Sequence, residues 1–177
     1  LGLIGLGLIG TAVAKRASGF DMDILYYSRN RKPEEEAKYG LQWTPRLNDL
    51  LSTSDYVSVH VPLGPETQNL IGAEELSLMK KEAYLINTSR GGTVDSDALR
   101  TALVNGDIAG AALDVTAPEP IDSKDPLVHM ENVLITPHIA SASAATLRRM
   151  GLMAADNIIA HLNGKPMPAC LNPEVLK

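Results

Sequence analysis

The sequence predicts an α/β fold, a parallel sheet covered by helices on both faces, and three observations predict it. Short apolar runs alternate with stretches of helical periodicity along the chain. The runs are apolar at nearly every position, as strands buried on both faces are. The first run leads into "GLGLIG", a glycine spacing that suits a tight strand-to-helix turn.

In chain order, "LGLIGL" reads as a strand, after which Ile9, Ala12, Val13 and Ala17 recur at helical spacing. "MDILYY" is the second strand. "TPRLNDLLSTS" opens a helix, with Thr44 as N-cap and Pro45 at the first helical position. "DYVSVHV" is a strand, "AEELSLMKK" a helix and "AYLINTS" a strand. Asp95 or Ser96 caps the helix through "DALRTALVNG", and Gly106 suits its C-terminal end. "IAGAALDV" and "NVLITP" are the last two strands, joined by the Pro-rich loop "TAPEPIDSKDP". A long helix then runs from about Ser143 to Asn163. Its Leu147, Met150, Ala154, Ile158 and Leu162 form a stripe that suits a core or a subunit interface.

Composition narrows the class of function. The 177 residues suffice for one well-cored domain, with 45% apolar and 21% charged residues. A net charge of −5 argues against nucleic acid or an anionic membrane as partner, because both need a basic face. Cys170 is the single cysteine, so no internal disulfide forms, and a cytoplasmic enzyme is expected. The apolar N-terminal stretch is too short and too interrupted by glycine to span a bilayer, and it lacks the basic flank of a signal peptide. The chain opens at Leu1, already within a strand, which reads as one domain of a longer protein. Residues 1–163 are expected to form a dinucleotide-binding domain, and residues 164–177 a tail beyond it.

The glycines point to that dinucleotide. Gly5 fits the tight turn, Gly7 lets the backbone approach a pyrophosphate, and Gly10 lets the helix pack close to the sheet. Leu8 and Ile9 begin the helix whose free N–H groups and dipole favour phosphate. A strand before, a helix after and a second strand beyond make this a Rossmann-type, doubly wound sheet. An acid is due about 20 residues on, where it would bind the ribose hydroxyls. "ILYYSRNRK" instead places Ser28, Arg29, Asn30 and Arg31 there. A carboxylate would repel a ribose 2′-phosphate and guanidinium groups would pair with it, so NADP(H) is favoured over NAD(H), which stays possible.

Ligands of open α/β sheets lie beyond the carboxyl ends of the strands. Three loops there, "NTSRGG", "DVTAPEP" and "PHIAS", carry Arg90, then Asp114 and Glu119, then His138. A nicotinamide dinucleotide delivers a hydride to a carbonyl carbon, and the carbonyl oxygen then needs a proton. An imidazolium can give that proton, and a neighbouring carboxylate orients the ring. The planar fork of arginine suits a carboxylate and stabilises a developing alkoxide. Each residue also has a plainer reading: a surface ion pair for Arg90, a backbone-bonded loop histidine for His138, a solvated acid for Glu119, a turn cap for Asp114.

"GLGLIG", "NTSRGGTVD", "GAALDVTAPEP" and "LITPHIAS", in this order and spacing, resemble the nucleotide-binding domain of the D-isomer-specific 2-hydroxyacid dehydrogenases. "ILYYSRNRK" and "MPACLNPEV" are most similar to the glyoxylate/hydroxypyruvate reductases within that family. The resemblance implies that Arg90 binds the substrate carboxylate and carbonyl, that His138 is the acid/base and that Glu119 is its partner. It implies that Thr88, Ser89, Asp114 and the residues after His138, Ala140 among them, line the nicotinamide end. It also implies that Pro62 and Thr67 lie near the adenosine half, and that the full-length protein is a homodimer. Leu8 stands where the family usually has arginine, Asp21 and Ala112 where it usually has glycine, and the family's substrate domain, to which the tail 164–177 would return, comes mostly from residues before the fingerprint.

The expected function is therefore NADP(H)-dependent reduction of glyoxylate or hydroxypyruvate. A sugar-acid keto reductase on the same scaffold and a dinucleotide-sensing module such as a corepressor are the alternatives. Methyl transfer from S-adenosylmethionine also uses glycine-rich loops but gives no reason for Arg90 and His138. His60 reads as a core or rim histidine, His129 and His161 as solvent-facing, and no cluster has metal-ligand spacing.

Overall fold

The computed structural model describes residues 1–176 and divides the chain into two compact units, residues 1–138 and a second beginning at Ile139. The first unit holds a seven-stranded, all-parallel sheet with helices on both faces, a Rossmann-type α/β fold. The strands are β1 (Gly2–Ile4), β2 (Ile24–Tyr27), β3 (Leu41–Thr44), β4 (Tyr56–Val59), β5 (Tyr84–Asn87), β6 (Gly110–Leu113) and β7 (Val133–Ile135). Their order across the sheet is β3-β2-β1-β4-β5-β6-β7, so the winding reverses between β1 and β4. That reversal opens the crevice in which such sheets bind ligands.

The first strand shows why both faces must be covered. Leu3 and Ile4 are both fully buried, and successive residues of a strand point to opposite faces. Leu3 joins a cluster with Ala14 and Ala17 of helix α1 (Leu8–Ala17), Ile24, Tyr26 and Leu41. Ile4 joins the larger cluster on the other face, with Leu50 and Leu51 of α3 (Leu47–Thr53), Leu76 of α4 (Ala73–Leu78), and Leu99 and Leu103 of α5 (Ser96–Asn105).

The sequence reading missed two elements, α2 (Pro33–Tyr39) and β3, so the strands number seven where six were expected. The acidic run Glu34–Glu36 hides the helix, and β3 is an edge strand with only Leu41 and Thr44 buried. The expected cap at Thr44 is also corrected. Thr44 ends β3, its hydroxyl donates to the Arg46 carbonyl (3.1 Å) and accepts the Arg46 N–H (3.3 Å), and α3 begins two residues after Pro45. Asp95, not Ser96, caps α5, accepting the N–H groups of Asp97 and Ala98 at 3.0 Å each. Gly106 ends that helix in the left-handed region at φ +71°.

The second unit consists of helix α6 (Ala144–Leu162), capped by Ser143, and the segment that follows it. The Asn157 side chain brackets Ala169, donating to its carbonyl (3.0 Å) and accepting its N–H (2.9 Å), which folds that segment onto the helix. The stripe expected as core or subunit interface is not core: Leu147, Met150, Ile158 and Leu162 are exposed. No helix among the described residues is long and apolar enough to cross a membrane.

Candidate active site

The glycine turn is built by close approach. Gly5 takes φ +96°, and a Cβ on Gly10 would stand 2.2 Å from the Gly5 carbonyl oxygen, so only glycine lets α1 start there. Gly7 differs, because a Cβ there would meet nothing within 4 Å. It is the N-cap of α1, with no side-chain hydrogen bond and no acid in the first turn. Leu8 and Ile9 extend outward, Leu8 at 94% exposure. An open space over uncapped N–H groups at the positive end of a helix fits a pyrophosphate.

The turn after β2 divides its two arginines. Arg29 and Glu66 are paired loosely at 3.3 Å, with side chains 83% and 79% exposed. Arg31 is clamped by Glu36: its Nε donates to both carboxylate oxygens (3.0 and 3.2 Å) and its Nη2 to one of them (2.8 Å). Its guanidinium also lies over the Trp43 ring, 5.6 Å from the centroid. Trp43 in turn donates to the Ser28 carbonyl at 3.5 Å. Glu66 belongs to a loop closed by Thr67, whose hydroxyl donates to the Pro62 carbonyl (2.6 Å) and accepts the Gly64 N–H (2.8 Å). The Arg29–Glu66 pair thus links the two loops expected to flank an adenosine.

Farther along the same carboxyl edge of the sheet, Arg90 leaves β5 on a loop organised by a residue that sequence reasoning missed. Asn87 is 1% exposed. Its amide nitrogen donates to the Arg90 carbonyl (3.0 Å) and the Thr93 hydroxyl (3.3 Å). Its amide oxygen accepts the Ser89 N–H (3.0 Å) and the Ser89 hydroxyl (2.9 Å). All four hydrogen bonds open to a side-chain amide are therefore made. Thr93, fully buried, donates to the same Arg90 carbonyl at 2.7 Å. The Arg90 side chain is exposed and donates to the Ser89 carbonyl at 2.6 Å. Thr88 is the first residue after β5, between Asn87 and Ser89. The one available signal for Asn87 was a polar residue closing an apolar strand three positions before Arg90.

Gly91 brings this loop onto the next one. A Cβ there would lie 1.9 Å from the Thr116 carbonyl oxygen, so the two backbones touch. The Ser96 hydroxyl donates to the Ala117 carbonyl (3.1 Å) and holds the same contact from α5. Glu119, two residues on, reaches His138 with an Nδ1–Oε1 distance of 2.5 Å. The backbone at His138 is in the left-handed region, φ +53°, uncommon for a residue with a side chain. Its N–H donates to the carbonyls of Asp114 (2.9 Å) and Thr136 (3.0 Å), which hold it there. The Asp114 carboxylate is buried and accepts the Thr136 hydroxyl at 2.6 Å. Ala140 lies in the second unit, in the turn before α6.

The other histidines stand apart from this rim. His60, after β4, shares a 2.9 Å hydrogen bond between its Nε2 and the Ser58 hydroxyl. Burial pushes its imidazole down to about 4. His129 bonds the Ser123 carbonyl at 2.9 Å, and His161 is exposed. Among the described residues no group of His, Cys, Asp or Glu is placed to hold a metal ion.

This fold recurs in known proteins. Residues 1–140 match the family model of the D-isomer specific 2-hydroxyacid dehydrogenase, NAD binding domain. The chain belongs to that family. It is 51% identical to the glyoxylate reductase of Korarchaeum cryptofilum over 177 residues, all of this chain and 53% of the relative. Among solved members, it is similar to the NADPH-dependent glyoxylate/hydroxypyruvate reductase of Sinorhizobium meliloti, crystallised with NADP and malonate. The TM-score is 0.83 at 40% identity, over 90% of this chain and 48% of that one. It is also similar to the D-lactate dehydrogenase of Lactobacillus jensenii, solved with NAD+, with a TM-score of 0.88 at 35% identity over 96% and 54% of the two chains. The chain spans about half the length of the family members it matches. Family members with either nucleotide thus share its fold.

Proposed function

We propose that this chain is the nucleotide-binding half of an NADP(H)-dependent reductase of small 2-keto acids, glyoxylate or hydroxypyruvate. The observation that carries the reading is the Glu119–His138 pair at 2.5 Å, beside a loop that presents Arg90. An ionised carboxylate only accepts hydrogen bonds, so Nδ1 of His138 carries a proton toward Glu119 and Nε2 is the atom that exchanges one with substrate. The left-handed backbone at His138 fixes the direction from which it does so. Arg90 takes the substrate carboxylate and the carbonyl oxygen, where its charge also stabilises the developing alkoxide. Asp114, Thr88 and Ser89 line the nicotinamide end. Gly5, Gly7, Leu8, Ile9 and Gly10 hold the pyrophosphate, and Ser28–Arg31, Pro62 and Thr67 bracket the adenosine ribose. A bound nicotinamide supplies the hydride.

The names of the relatives support the substrate class, and the basic turn without a β2-terminal acid supports NADP(H). The domain bounds, residues 1–163 with a tail to 177, and a homodimeric, cytoplasmic full-length protein belong to the same proposal. The test is NADPH oxidation by the full-length protein with glyoxylate and with hydroxypyruvate. Turnover of at least one is expected. A protein that binds the nucleotide and reduces neither acid is a reductase of another acid or a sensor, and the reading falls.

A further inference from the structure

The acid missing from the end of β2 has a substitute. Glu36 lies on α2, yet its carboxylate reaches back into the turn that Ser28–Lys32 forms. Its side chain is 14% exposed, against 58% for Arg31. One of its oxygens accepts the hydroxyl of the fully buried Tyr26 at 2.6 Å, and that hydroxyl accepts the Lys32 N–H at 2.7 Å. Both oxygens accept from Arg31. The carboxylate is thus fixed from below by Tyr26 and spends its outward side on one guanidinium, itself stacked on Trp43. Arg29 has no comparable restraint, its pair with Glu66 being solvated on both sides.

We propose that Glu36 is a positioning residue that sets the 2′-phosphate selectivity of the turn by neutralising and immobilising Arg31, so that phosphate recognition falls to Arg29. The proposal rests on the NADP(H) reading above and deepens it. A bidentate carboxylate satisfies the donors that a phosphate would otherwise use and cancels the charge that would attract it. An exposed pair such as Arg29–Glu66 has little strength of its own, so Arg29 exchanges Glu66 for a dianion readily. Tyr26 supports the arrangement, since burial and the Glu36 bond push its phenol up to about 12 and keep it a donor.

The experiment measures dissociation constants of NADPH and NADH, by direct binding to the full-length protein, in four variants. Glu36→Gln keeps an acceptor for Tyr26 and removes the charge. It is expected to raise the NADPH-over-NADH ratio about three- to tenfold, with NADH binding unchanged and the gain shrinking in salt. Arg31→Ala is expected to change the ratio less than threefold, and Arg29→Ala to lower it about tenfold. In the double variant Glu36→Gln/Arg31→Ala the gain disappears. A gain that survives without Arg31 would show a general field effect and overturn the proposal. So would a ratio lost as fully with Arg31→Ala as with Arg29→Ala. Equal affinities in the wild type would defeat the NADP(H) reading, while a gain confined to chains that keep Arg31 would still uphold the role of Glu36.

Discussion

The turn after β2 and the rim beyond β5–β7 each restrain an arginine, and they do it by different means. Arg31 is held by its own side chain, through charge-assisted bonds to Glu36 and a ring beneath it. Arg90 is held by its backbone: two buried side chains, Asn87 and Thr93, fix its carbonyl and leave the guanidinium exposed. The first design fixes the charge and permits retuning by substituting one surface-reaching acid. The second fixes the origin of the side chain and frees its tip. A group that must close on a small substrate needs the second. Surface pairs are also screened by salt, whereas a buried amide network is not.

The largest effect should come from the rim's own chemistry. In the full-length protein, His138→Ala should lower reduction of the keto acid by about 10²–10⁴-fold, the usual contribution of general acid catalysis, while the dissociation constant of NADPH stays within about twofold. Steady-state kinetics beside direct titration would separate the two. An equal loss in both would place His138 on the nucleotide side of the comparison.

The boundary between the regions gives the next effect. His60 packs beneath the glycine turn, its Cβ 3.7 Å from where a Gly10 Cβ would stand. Its imidazole titrates at about 4 in the fold against 6.5 when unfolded. Between these values the unfolded chain binds more protons, so stability is full above about 6.5 and declines as pH falls toward 4. A shift of this size corresponds to about 3 kcal/mol. Urea midpoints at pH 7 and pH 4.5 should therefore differ more in the wild type than in His60→Asn. Parallel changes would mean that carboxylates elsewhere govern the acid limb.

The smallest effect tests the backbone design directly. Thr93→Val keeps the shape of a fully buried side chain and removes the hydroxyl that donates to the Arg90 carbonyl. One such bond contributes about 0.5–1.5 kcal/mol, so KM for the keto acid should rise about two- to tenfold, and Thr93→Ser should restore it. The NADPH-over-NADH ratio should not move. If Thr93→Val altered that ratio instead, the two regions would not be separable.

Local pattern alone determined a good deal of this protein. The doubly wound parallel sheet followed from apolar runs alternating with helical periodicity, because a strand buried on both faces has no room for polar residues. The glycine turn was legible from its spacing, and so were the strand-end loops of Arg90, Glu119 and His138, which the fold brings side by side. Edge strand β3 and helix α2 were not legible, since a strand with one buried neighbour and a seven-residue acidic helix carry little periodicity. Only the tertiary structure decided what Glu36, Asn87 and Thr93 do. Glu36 is brought to the Arg31 turn by the packing of α2 on the sheet, and Asn87 is buried by the loops that fold over it. The same holds for Gly91, whose lack of a side chain matters because the Thr116 carbonyl arrives there from β6. The Gly91–Thr116 approach joins segments distant in sequence, and such contacts depend on how the layers stack, a property of the whole sheet.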